Sequence, residues 1–133
     1  MKRRTVISRL AMLLYVAAVA YLCFANFSDV SNISRTIFGI ETDKLVHFCM
    51  FLPFPILALW SFRAPGRTPA RAVLAIVAVF LAGCLVAAST ELIQGTLPYR
   101  DADAQDFVAD TVGLAAGSVI SIIFITARQK RKK

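Results

Sequence analysis

Residues 91–117 read ELIQGTLPYRDADAQDFVADTVGLAAG, and this stretch decides the fold. Glu91 and Gln94 close one long apolar run, Asp106 and Asp110 open the next, and Arg100 stands on the Gly- and Pro-containing segment between them. An ionisable side chain at the edge of a membrane span is costly and is retained for a reason. Four such groups and the polar Gln94 between two apolar runs therefore mark a packed, functional end of a membrane bundle, and the rest of the chain is read outward from here.

The composition agrees. Of 133 residues, 58% are apolar and 17% charged, with a mean hydropathy of +0.68, outside the range of a soluble domain. Four apolar runs, at about 10–27, 45–62, 72–93 and 107–127, each reach the ~17–25 residues needed to cross the hydrocarbon. The fold class expected is an all-α membrane protein with four transmembrane helices in a single domain over 1–133. Pro53 and Pro55 remove two backbone donors inside the second run, so that span is expected to kink or to end its first half there. The first run resembles the opening of a cleavable signal, but its apolar part is long for one and it is read as a span. The polar loop 28–44 carries an apolar island at Ile37 and Phe38, suited to dipping into the interface.

Charge sets the expected orientation. Twelve of the fifteen bases lie in the N-terminal leader, the 63–71 linker and the C-terminal tail, while all eight acids belong to the other half. By the positive-inside rule both termini and that linker are cytoplasmic. The net charge of +7 is matched to anionic lipid rather than nucleic acid, because the bases flank spans and no soluble fold presents them to a groove. Cys23, Cys49 and Cys84 lie inside apolar runs without metal spacing and are read as small core residues.

Residues three and four apart share a helix face. On the fourth span Asp106, Asp110, Gly113, Gly117 and Ser121 form one stripe, and Gly113-x-x-x-Gly117 is a small-residue pattern by which membrane helices approach closely. Gly83, Ala87, Glu91 and Gln94 repeat the device on the third span. On the second, Asp43 and His47 are four apart with Lys44 beside them, and Thr42 or Asp43 is placed to cap the helix. Asp43, Lys44, His47, Glu91, Gln94, Arg100, Asp106 and Asp110 are thus candidate ligand-binding residues, with His47, Glu91 and Asp106 the candidates for catalysis. Asp101 and Asp103 are read as solvated loop acids. The bland alternative for Glu91 is a salt bridge to Arg100 or Lys44 that staples spans together. No cofactor is expected, and no metal, because HExxH and related spacings are absent; His47 with two or three of the acids is the one arrangement that would supply a metal site.

Asp43-Lys44-x-x-His47-Phe48, Glu91-x-x-Gln94, Pro98-x-Arg100 and Asp106-x-x-x-Asp110-x-x-Gly113-x-x-x-Gly117 together resemble the VanZ-like family of small bacterial integral membrane proteins. The likeness covers residues 43–117, and the family usually has Asn where this chain has Asp110. The resemblance implies a multi-pass protein of the bacterial cytoplasmic membrane and cell envelope, in a family whose founding member is linked to teicoplanin resistance. It implies no settled mechanism.

Three functions compete. One is a binding protein whose outer-face cluster takes a lipid headgroup or a lipid-linked cell-wall precursor, with membrane lipids as partners. Another is a membrane-embedded hydrolase or transferase using His47 as base, although no nucleophile motif is present and Ser89 and Thr90 are expected to bond back to their own helix. A proton-coupled carrier is the third. The oligomeric state is not encoded in any of these features.

Overall fold

In a computed structural model the described residues are 2–26, 36–62 and 68–130, with side chains described for 5–26, 36–62 and 68–127. The arginines at 35, 63 and 67 and the end of the basic tail, 131–133, lie outside them. Helix α1 spans Lys2–Phe24, α2 Thr42–Phe51, α3 Phe54–Phe62, α4 Pro69–Gln94 and α5 Ala104–Lys130, with a short hairpin of β1 Thr36–Ile37 and β2 Ile40–Glu41 before α2. Four stretches are long and apolar enough to cross a membrane: Thr5–Phe24, Thr42–Phe62, Pro69–Gln94 and Ala104–Ala127.

Local chemistry explains the boundaries. The Thr68 hydroxyl accepts from the Arg71 backbone N–H at 3.4 Å and Pro69 follows it at the first helical position, where a missing N–H costs nothing. The second span breaks where the prolines fall: α2 closes with Leu52 N–H donating to the Phe48 carbonyl at 3.1 Å, and α3 restarts at Phe54. The expected cap of α2 is displaced by one residue. Glu41 occupies that position without a side-chain cap bond, and Asp43 falls in the first turn instead, where its charge favours the helix N-terminus.

The hairpin turns on Phe38 and Gly39, whose φ values of 53° and 79° are both left-handed, the geometry of a two-residue type I′ turn. A β-turn of this kind asks about 1–3 kcal/mol of a non-glycine residue. Phe38 is fully exposed at its tip.

Helix α5 is the hub, packing on α2, α3 and α4, while α1 lies against α3 and α4. The core between them holds Val19, Cys23, Met50, Phe51, Phe54, Ala58, Ala87 and Leu114. Outward-facing Leu13, Leu14, Leu74, Leu85, Leu92 and Phe124 are exposed, as lipid-facing side chains are where tails replace water as solvent. The glycines sit at the closest approaches. A Cβ on Gly113 would lie 2.5 Å from the Phe48 carbonyl oxygen, and one on Gly117 would collide with the Leu52 carbonyl. Gly83 of α4 makes room for the Leu114 side chain, and Ala87 beside it is fully buried.

Candidate functional site

Because α5 is drawn against α2 by its glycines, the polar residues one and two turns earlier on α5 meet the start of α2. The chain's only histidine, His47, is buried there with Asp110, Asp106, Glu91 and Gln94. Its Nδ1 lies 3.0 Å from Asp110 Oδ1 and 3.8 Å from Glu91 Oε1, while Nε2 faces Asp106 Oδ2 at 3.8 Å. One imidazole thus stands between three buried carboxylates supplied by two other helices. Among the described residues Glu91 Oε1, Asp106 Oδ1 and Asp110 Oδ2 are buried without a hydrogen-bond partner. Such atoms carry a full desolvation penalty and call for an explanation.

Nearer the helix ends the charges are paired. Lys44 forms an ion pair with Glu41 one turn before it, reaches Asp103 Oδ2 at 3.0 Å and lies 3.7 Å from Asp106 Oδ1. Asp43 is exposed at this rim, its carboxylate oxygen within 4.8 Å of donor atoms of His47 and Asp106.

Residues 12–125 match the VanZ/LLP1 family. The chain belongs to the VanZ/LLP1 family. No curated protein and no solved structure matches it.

In this VanZ/LLP1 membrane protein two of the sequence-derived candidates have destinations that spacing did not reveal. Arg100 donates from Nη2 to the Leu22 carbonyl at 2.9 Å, and Gln94 donates from Nε2 to the Cys23 carbonyl at 3.0 Å. Tyr99 adds a third such bond, its hydroxyl to the Phe24 carbonyl at 2.9 Å. These are the last carbonyls of α1, which have no partner within their own helix. Glu91 is stapled neither to Arg100 nor to Lys44: its Oε2 accepts the Asp103 backbone N–H at 3.2 Å, leaving Oε1 turned to His47.

Asp103, read from the sequence as a solvated acid, is instead a junction of the VanZ/LLP1 site. It caps α5 through Gln105 N–H to Oδ1 at 2.9 Å, holds Lys44 through its other oxygen, and presents its own N–H to Glu91. The signal that would have found it is an acid immediately before a helix start. The Gln105 N–H, and after it the Lys44 ammonium, hold the Asp103 carboxyl below the usual aspartate range. A depressed carboxyl stabilises the folded state above the unfolded pKa of about 3.9 and loses that contribution as pH falls through its folded value. The clamp is accordingly intact at neutral pH and opens only in acid.

Ser89 and Thr90 donate to the Leu85 and Ala87 carbonyls of their own helix, at 2.7 and 2.8 Å. Between α1 and α2 runs an apolar groove of about 470 Å³, with Ala18 and Leu22 on one wall, Leu45 and Cys49 on the other, and Ile37 and Thr42 among its lining.

Proposed function

We propose that this VanZ/LLP1 protein sits in the bacterial cytoplasmic membrane with both termini inside, and that its site binds a lipid headgroup or the headgroup of a lipid-linked cell-wall precursor at the outer face. The observation that carries the reading is that α2 bears both features in its first turns: Thr42, Leu45 and Cys49 line an apolar groove, and Lys44 belongs to a charged rim with Asp103 and Asp106. An amphiphile has that shape. Its chain lies between α1 and α2, its phosphate meets the Lys44 ammonium, and an amine or hydroxyl of its headgroup meets Asp43 and Asp106. A role in glycopeptide tolerance, which family resemblance implies, belongs to the same proposal, since such antibiotics act on cell-wall precursors at the outer face.

The hydrolase or transferase reading has an oriented base in His47 at 3.0 Å from Asp110. The two hydroxyls beside Glu91 are bonded back to their own helix, which favours binding over nucleophilic catalysis.

Lipid retention tests the proposal. Purified protein, analysed by native mass spectrometry, is expected to keep phosphatidylethanolamine or a lipid-linked precursor. Lys44→Ala removes a charge-assisted contact, and Ala18→Phe fills the groove. Each is expected to lower retention about tenfold, the equivalent of ~1.4 kcal/mol. Wild-type retention in both variants would refute the reading.

Orientation has its own test. Asp101→Cys in a background without Cys23, Cys49 and Cys84 is expected to react with a membrane-impermeant maleimide on intact cells, whereas Thr68→Cys reacts only after permeabilisation. The reverse pattern would invert the topology.

A further inference from the structure

Lipid binding at the rim leaves the deeper half of the cluster unexplained. His47 Nδ1 and one carboxylate oxygen each from Glu91 and Asp110 lie within 4.8 Å of one another, all three residues buried. The Glu91 and Asp110 side chains are 10% and 0% exposed, yet Glu91 Oε1 and Asp110 Oδ2 are without a hydrogen-bond partner among the described residues. Two buried carboxylates with oxygens to spare, converging on an imidazole nitrogen, form more than an acidic cluster.

We propose that His47 Nδ1, Glu91 and Asp110 bind a divalent transition metal ion. The charges balance, because two carboxylates and a neutral imidazole offset a 2+ ion in a region where an unbalanced charge is expensive. The distances also fit. Ligand bonds of about 2.0–2.1 Å set the edge of a tetrahedral site at about 3.3 Å, and the observed edges from Nδ1 are 3.0 Å to Asp110 Oδ1 and 3.8 Å to Glu91 Oε1. A mixed imidazole and carboxylate set selects zinc, manganese or iron over calcium and magnesium, which take oxygen alone.

The other ring nitrogen supports this assignment. A metal-bound histidine usually donates its second N–H to a carboxylate that fixes the ring, and Nε2 faces Asp106 Oδ2 at 3.8 Å. That gap is too long for a hydrogen bond, so Asp106 becomes a positioning residue when metal binding brings the ring toward it. When the ion enters, the Nδ1 lone pair forms the bond to the metal. With Nε2 already protonated, the proton lying between Nδ1 and Asp110 Oδ1 leaves to solvent. One proton is released per ion. Spacing along a single helix cannot show such a site, since α2, α4 and α5 contribute one ligand each.

The test uses the full chain in lipid-free detergent, so that its outcome is independent of headgroup binding. After stripping with EDTA, the protein is titrated with Zn²⁺ and with Mn²⁺ by calorimetry in buffers of different ionisation enthalpy, and bound metal is counted by elemental mass spectrometry. One ion per chain with release of about one proton is expected. Glu91→Gln and Asp110→Asn are each expected to weaken binding at least 100-fold, and Asp106→Asn by 10–100-fold as an outer-shell change of about that size. Asp101→Asn, in the exposed loop, keeps wild-type affinity. Gel filtration and circular dichroism identify any variant that fails to fold, and Glu91→Gln, which keeps side-chain volume, then carries the decision with His47→Gln. Uptake of no ion by the wild type, or wild-type affinity in Glu91→Gln and His47→Gln, overturns the proposal.

Discussion

Gly117→Val is expected to abolish the folded bundle. Even a single Cβ at this position collides with the Leu52 carbonyl and would lie 3.0 Å from Pro55 Cδ, and neither obstacle is a side chain that can rotate away. Overpacking typically costs about 1–3 kcal/mol, and more where backbone must move. Because the added Cβ meets backbone and a proline ring, the loss should exceed about 3 kcal/mol, a large part of the ~5–15 kcal/mol that holds a domain together. Size-exclusion chromatography of a fluorescent fusion after solubilisation gives the readout: aggregate or no peak for Gly117→Val. Gly83→Ala supplies the contrast. Its Cβ meets the end of the Leu114 side chain, so the variant should remain folded with a modest loss of about 1 kcal/mol. A monodisperse Gly117→Val with wild-type melting would show that α2 and α5 are not locked by this contact.

The second large effect lies at His47. His47→Leu is expected to lower stability by about 3–5 kcal/mol, the range for leaving a buried charge without its partner. The reason is the number of acids around the ring: Asp110 at 3.0 Å, Glu91 and Asp106 at 3.8 Å. Without an imidazole those carboxylates repel one another across an apolar interior. The double variant His47→Leu/Asp110→Leu removes the closest acid as well and should recover at least about 1 kcal/mol of the loss, since an apolar replacement of both members of a buried pair is often tolerated. Thermal unfolding of the two single variants and the double variant measures the coupling. Strict additivity would mean that the ring and Asp110 act on stability separately.

Much of the architecture was legible because membrane spans announce themselves by length and apolarity. The four spans follow from that signal, and the break at Pro53 follows from the missing donor. Helix faces were legible too: the four-residue steps from Asp106 to Gly117 put acids and glycines on one side of α5, the side that meets α2. What spacing cannot supply is the destination of a side chain that leaves its own helix. Arg100 and Gln94 are polar groups near a helix end in the sequence, but their acceptors on α1 are about 70 residues away in the chain and depend on how α1 leans. Asp103 was missed for a different reason. Its three bonds are split between a cap, a lysine and a glutamate on three elements, and only the cap leaves a local trace.

The bonds from Gln94, Tyr99 and Arg100 to the carbonyls of Cys23, Leu22 and Phe24 bear on how the chain comes to be assembled. Helix α1 precedes its partners in the chain, yet the donors that complete its last turn stand some 70 residues later and are in place only once α4 and the segment joining it to α5 have docked. Until then α1 has to remain loosely held, with its terminal carbonyls solvated at the interface. Helix α1 is thus fastened by residues that follow it in the chain, and the segment that fastens it also brings Glu91 and Asp103 into contact. One segment therefore closes both the bundle, through Tyr99 and Arg100, and the site, through Asp103.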